Sequence, residues 1–161
     1  ACTVFTFGCN LRCPFCHNAS LVLSDRADDT PSIKEDEFFA FLQKRRGILE
    51  GVCISGGEPT LQPDLPDFIR KVKELGFAVK LDTNGMNPEM LEILIGQGVS
   101  PSAVTVGHLS DTEDVEYIKG FAKLGCYVGL DRLYGGTDEE YINKKQLLAR
   151  VAVFVKLPHI Y

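Results

Sequence analysis

Short apolar runs alternate with longer stretches of helical spacing along the 161 residues. Residues 2–7 read as a first strand. A polar stretch near 24–31 follows, and Ser32 then caps a helix with Glu35 as its capping-box partner. That helix carries Phe38, Phe39, Phe41 and Leu42 and stops before Gly47. Residues 51–54 form a second strand. Asp64 opens a helix through Phe68, Ile69, Val72 and Leu75 that Gly76 closes. Residues 77–81 are a third strand and 88–95 a third helix, followed by Gly98. The alternation continues with a strand over 103–106, a helix over 111–124 stopped by Gly125, and a strand over 127–130. A helix over 138–150 and a sixth strand over 151–155 complete it.

Strands that alternate with helices predict parallel βαβ units in one α/β domain over 1–161. Right-handed crossovers then give a parallel (βα)6 partial barrel or, alternatively, an open doubly wound parallel sheet. The chemically distinctive segments, 9–16, 56–59, 82–85, 108–111 and 131–132, all follow strands. In both architectures ligands bind at the carboxyl ends of strands, so these loops are expected to line one mouth.

A net charge of −5 without a basic run argues against a general nucleic-acid surface. The apolar runs fall far short of the ~20 residues that span a bilayer, so no membrane span is expected. The six cysteines are Cys2, Cys9, Cys13, Cys16, Cys53 and Cys126. A chain of this size needs no disulfides, which points to a reducing, cytoplasmic setting. Cys2, Cys53 and Cys126 lie in or beside strand-like runs and read as small buried hydrophobes.

Cys9, Cys13 and Cys16 are spaced C-x3-C-x2-C within Gly8-Cys9-Asn10-Leu11-Arg12-Cys13-Pro14-Phe15-Cys16-His17-Asn18. Three thiolates this close can hold a [4Fe–4S] cluster and leave one iron without a protein ligand. A structural zinc site would want four closed ligands, and His17, adjoining Cys16, would strain the cage. Three structural cysteines are the remaining alternative. After the second strand comes Ser55-Gly56-Gly57-Glu58-Pro59-Thr60, where two glycines allow close backbone approach. Leu81-Asp82-Thr83-Asn84-Gly85 ends the third strand.

This set resembles the radical SAM superfamily. The cysteine spacing with an aromatic before the last cysteine matches its signature, and Cys16-His17-Asn18 resembles its activating-enzyme branch. The resemblance, over residues 1 to about 97, is to the activating protein of anaerobic ribonucleotide reductase and its relatives. It implies a [4Fe–4S] cluster on Cys9, Cys13 and Cys16 and reductive cleavage of S-adenosyl-L-methionine to a 5′-deoxyadenosyl radical. It places Phe15 near the adenine, Ser55, Gly56, Gly57 and Glu58 at the methionine amino group, and Asp82 and Asn84 near the cofactor. The implied partners are a glycyl-radical enzyme and a flavodoxin-type or ferredoxin-type reductant.

From Val104 to about Arg132 the resemblance changes. Val106-Gly107-His108-Leu109-Ser110-Asp111-Thr112, Tyr117-Ile118 and Gly129-Leu130-Asp131-Arg132 are similar to late strands of phosphotriesterase-like metal hydrolases. There His108 would match a metal ligand and Arg132 a mouth-lining arginine, but the other ligands have no counterpart, and one histidine does not make a binuclear site. The chain therefore reads as two halves, 1–97 and 98–161, joined near 97–103. A recombined or designed chimera without catalysis, and a metal-dependent ester or lactone hydrolase, stand as the alternatives.

Overall fold

The computed structural model describes residues 1–14, 16–23, 31–109 and 112–130, with positions 137, 139, 142, 143 and 146 beyond them. The expected sixth strand, most of the last expected helix, Phe15, Asp111 and Arg132 lie outside the described residues. The chain divides into two compact units, Ala1–Ser100 and Pro101–Tyr161. Both are α/β with parallel strand pairing, the predicted fold class.

The first unit contains β1 (Cys2–Thr6), α1 (Glu35–Lys44), β2 (Gly51–Gly56), α2 (Leu65–Glu74), β3 (Ala78–Thr83) and α3 (Pro88–Gly96). β2 lies between β1 and β3, with Thr3 opposite Cys53, Phe5 opposite Ser55 and Cys53 opposite Lys80. Side chains alternate across a sheet, so one face carries Val52, Ile54 and Leu81. Those three are fully buried, with Leu42, Ile69, Val72, Leu91 and Leu94 from the helices. The other face carries Phe5, Cys53, Ser55, Lys80 and Asp82 and is partly exposed.

β2 and β3 each run two residues past their expected ends. The pairs Phe5 with Ser55 and Thr6 with Gly56 keep the ladder going, so the chemically distinctive residues begin inside the sheet. The α1 start also differs from expectation. Ser32 does not cap it; the helix begins after Lys34, which has an extended backbone and makes no side-chain cap. Glu35, Asp36 and Glu37 fill the first turn, where their charges oppose the positive end of the helix dipole.

α2 closes as predicted. Gly76 adopts φ +90°, donating its N–H to the Lys73 carbonyl, and Phe77 donates to Val72. This Schellman closure requires the left-handed conformation that glycine adopts without strain, and it drives the buried Phe77 into the core. α3 ends the same way through Gly98 and the buried Val99.

The second unit has β4 (Val104–Val106), α4 (Val115–Leu124) and β5 (Tyr127–Val128). Its core comprises Val104, Val106, Leu109, Val115, Ile118, Phe121 and Cys126. α4 starts four residues later than expected, after Asp114, which caps it. The Asp114 carboxylate accepts the Tyr117 N–H at 3.0 Å.

Candidate functional site: a cysteine loop braced by two strand ends

β1 delivers the chain into the cysteine loop, and several backbone bonds fix its base. Gly8 donates to the Leu21 carbonyl at 2.8 Å and Cys9 to Val22 at 3.1 Å. The loop thus returns along its own start, past a single 3-10 turn at Ala19–Leu21. The Asn18 carboxamide donates to the Gly56 carbonyl at 3.4 Å, tying the far end of the loop to β2. The Arg12 guanidinium donates to the Cys9 carbonyl at 2.6 Å.

Gly56 and Gly57 meet this loop directly. Gly57 donates to the Thr6 carbonyl at 2.9 Å, and Glu58 to the Gly8 carbonyl at 2.8 Å. A β-carbon on Gly57 would lie 2.0 Å from the Gly8 oxygen and 3.1 Å from the Leu21 oxygen. The close approach expected at these glycines is therefore made by the protein's own backbone. The turn grips the residue that precedes Cys9.

Glu58 departs from the expectation of an ammonium contact. It is 1 % exposed, and its carboxylate faces inward. Oε1 accepts from the Thr60 N–H at 3.0 Å, the Thr60 hydroxyl at 2.5 Å and the Thr83 hydroxyl at 2.6 Å. Oε2 accepts from the Asn84 N–H at 2.7 Å. A buried carboxylate must be satisfied by donors, and here they come from two different strand ends. Thr60 and Thr83 were not singled out as site residues from sequence; the signal available there was a hydroxyl residue within each strand-end motif, beside the acid of the first.

Asn84 completes the link back to the cysteines. Its Nδ2 donates to Asn10 Oδ1 at 2.8 Å and lies 3.9 Å from Cys9 Sγ, a weak donor contact. The Leu11 N–H points at the same sulfur from 3.4 Å. Cys9, Asn10, Glu58, Thr83 and Asn84 thus belong to one connected network. Cys13 and Cys16 lie on the same loop, with the Cys16 N–H donating to the Cys13 carbonyl at 3.2 Å.

Asp82 and Ser55 occupy the open sheet face. Asp82 pairs with Lys80 and accepts from the Cys53 thiol at 3.3 Å. Burial first, then the hydrogen bond and repulsion from Asp82, push the Cys53 thiol above its ordinary value, with Lys80 opposing. Cys53 is therefore half-buried and polar in its contacts rather than the apolar filler expected; Cys2 is also half-buried, and Cys126 alone of the three is fully buried.

His108, two residues past the end of β4, adopts φ 61°, an uncommon conformation outside glycine, and is exposed. Among the described residues, no three His, Cys, Asp or Glu side chains are arranged around a point that would hold a single metal ion. A [4Fe–4S] cluster sets a different requirement. It spreads its thiolates over separate irons, so the sulfurs need not converge on one point. All three loop cysteines are free, partly exposed thiols, and backbone and amide N–H groups already face one sulfur. This donor set fits such a cluster.

The profile of the Radical SAM superfamily matches residues 3–148. The chain belongs to the radical SAM superfamily. The match runs through residues 97–103, where the two halves were expected to join. Among relatives, the chain is similar to a candidate glycyl-radical enzyme activating enzyme of Methanocaldococcus jannaschii, 44% identical over 94 residues, covering 57% of this chain and 36% of that protein. It is also similar to the tungsten-containing aldehyde ferredoxin oxidoreductase cofactor-modifying protein of Pyrococcus furiosus. That match is 33% identical over 141 residues, 77% of this chain and 38% of the relative. An aryldialkylphosphatase of Saccharolobus solfataricus is 37% identical over 91 residues, 52% of this chain and 29% of that enzyme. The chain spans about a third of the length of these relatives. No helix among the described residues is long and apolar enough to cross a membrane.

Proposed function

We propose that Cys9, Cys13 and Cys16 hold a [4Fe–4S] cluster that works with S-adenosyl-L-methionine to activate a glycyl-radical enzyme. The observation that carries this reading is the loop itself, whose three free thiols rise from a base clamped between β1 and the Gly56–Gly57 turn. When bound, the cluster and its cofactor supply an electron transfer that releases a 5′-deoxyadenosyl radical. The chain's part is to position both. The backbone at Ser55, Gly56 and Gly57 and the side chains of Asp82 and Asn84 face the cofactor, and the adenine is assigned to Phe15 by the family resemblance alone. Glu58 contributes from behind, through Thr60, Thr83 and Asn84. A glycyl-radical partner is supported by the name of the M. jannaschii relative. A flavodoxin-type or ferredoxin-type reductant, a cytoplasmic setting and a partial (βα)6 barrel belong to the same reading.

Anaerobic reconstitution with iron and sulfide tests it. The parent chain is expected to take on the brown chromophore of an iron–sulfur protein and Cys13→Ala to lose it. A parent chain that stays colourless overturns the proposal.

A second reading, a recombined chain whose motifs are inherited without catalysis, is favoured by two observations. The two compact units meet at Ser100 and Pro101, inside the 97–103 join, and the chain is similar to an aryldialkylphosphatase. It predicts cooperative folding with all six cysteines replaced and no binding of S-adenosyl-L-methionine by calorimetry. Lactone or phosphotriester hydrolysis with zinc or cobalt, lost in His108→Ala, would instead support a hydrolase.

A further inference from the structure

We propose that Asn84 is a positioning residue that tunes the reduction potential at Cys9, held in place by the buried carboxylate of Glu58. This rests on the cluster assignment above. The geometry sets the orientation of the Asn84 amide. Its Oδ1 accepts the Met86 N–H at 2.9 Å, which commits the oxygen to that side. Its Nδ2 is thereby turned toward Asn10 Oδ1 at 2.8 Å and Cys9 Sγ at 3.9 Å. An amide assignment follows from its network, and this network permits one answer.

Asn84 is fixed from the backbone side as well. Its N–H donates to Glu58 Oε2, while Thr83 beside it donates to Oε1 and accepts the Gly85 N–H at 3.1 Å. Glu58 in turn donates its own N–H to the Gly8 carbonyl, one residue before Cys9. The brace therefore spans both partners of the Asn84–Cys9 contact and sets their separation. N–H groups directed at a cluster's thiolate sulfur stabilise the more negative, reduced state and raise the potential. Cys9 receives two, from Leu11 N and Asn84 Nδ2. The second comes from a different strand end, so substitution leaves every residue of the loop in place and removes, with this contact, the Asn84 bond to Asn10.

The test is a redox titration of the reconstituted chain, following the iron–sulfur chromophore, with Asn84→Ala, Asn84→Asp and Glu58→Gln beside the parent. Asn84→Asp keeps an acceptor for Met86 and replaces the donor by a negative charge. At the parent's midpoint its reduced-to-oxidised ratio is expected to fall about tenfold, a shift of 59 mV for a one-electron couple. Asn84→Ala is expected to fall severalfold, and Glu58→Gln in the same direction by less. A purely structural role would change the amount of cluster assembled and leave the midpoint where it was. Unchanged midpoints in Asn84→Ala and Asn84→Asp, with cluster absorbance intact, overturn the proposal. If Asn84→Ala assembles no cluster, Asn84→Asp decides by itself. A parent chain that assembles none overturns the cluster assignment, and this inference with it.

Discussion

Replacing Gly57 by alanine isolates what the paired glycines do. The added β-carbon would sit 2.0 Å from the Gly8 oxygen, where ordinary van der Waals contact begins at 3.4 Å. The obstacle is backbone, so no rotamer change relieves it. Gly8 or Gly57 must move by on the order of 1 Å, more than a close-packed interior absorbs without strain. Gly8 donates to Leu21 and accepts from Glu58, both at 2.8 Å. Losing those two bonds at about 1 kcal/mol each, on top of about 1–3 kcal/mol of overpacking, gives a destabilisation of about 3–5 kcal/mol. With a urea slope of about 2 kcal/mol/M, the midpoint drops by about 2 M. Gly96→Ala is the control, since a β-carbon there meets nothing within 4 Å and α3 should gain slightly. Gly57→Ala should also reconstitute poorly, because the shifted carbonyl belongs to the residue before Cys9. A Gly57→Ala midpoint within roughly 0.3 M of the parent would show that the clash is absorbed and that the glycines serve something else.

Leu81→Ala empties a fully buried position in β3 and should cost about 2–5 kcal/mol by urea denaturation. Asp114→Ala removes the acceptor of the Tyr117 N–H and should lower stability by about 1 kcal/mol; Asp114→Asn should restore most of it. The Cys53 thiol is raised by burial and by Asp82, so its folded-state preference is for the neutral form. That contribution is complete below the ordinary thiol range and is lost as pH rises through the raised value. The parent's stability advantage over Cys53→Ala should therefore narrow at alkaline pH, and a constant advantage across that range refutes the assignment.

Where local chemistry decides structure, the sequence was readable. Gly76 and Gly98 mark helix stops because a Schellman closure asks for one residue type at one place. Where two partners far apart in sequence decide, it was not. Glu58 beside two glycines reads as a ligand-facing acid. Its burial depends on hydroxyl and amide groups at Thr83 and Asn84, which only the parallel pairing of β2 with β3 brings near. The same holds for Gly57, whose neighbour in space is Gly8. Ser32 looked like a helix cap on a local pattern, but three acids at Glu35–Glu37 supply the favourable charge at the helix start instead. The cysteine spacing identified the loop, and its anchoring by Asn18 and Gly56 needed the fold.

The Glu58 brace also bears on how this site can be moved between proteins. A designer who grafts the cysteine loop alone would carry the ligands and leave their scaffold behind. The transferable unit consists of three separate pieces, 6–9, 56–60 and 83–84, because one carboxylate and one glycine contact interlock them. Without 83–84 the buried acid is short of donors, without 56–60 the acid itself is missing, and without 6–9 the Gly57 turn and the Glu58 N–H lose the backbone they grip. The site is therefore heritable only as a trio, which makes piecemeal substitution across it deleterious and wholesale exchange of other loops comparatively free.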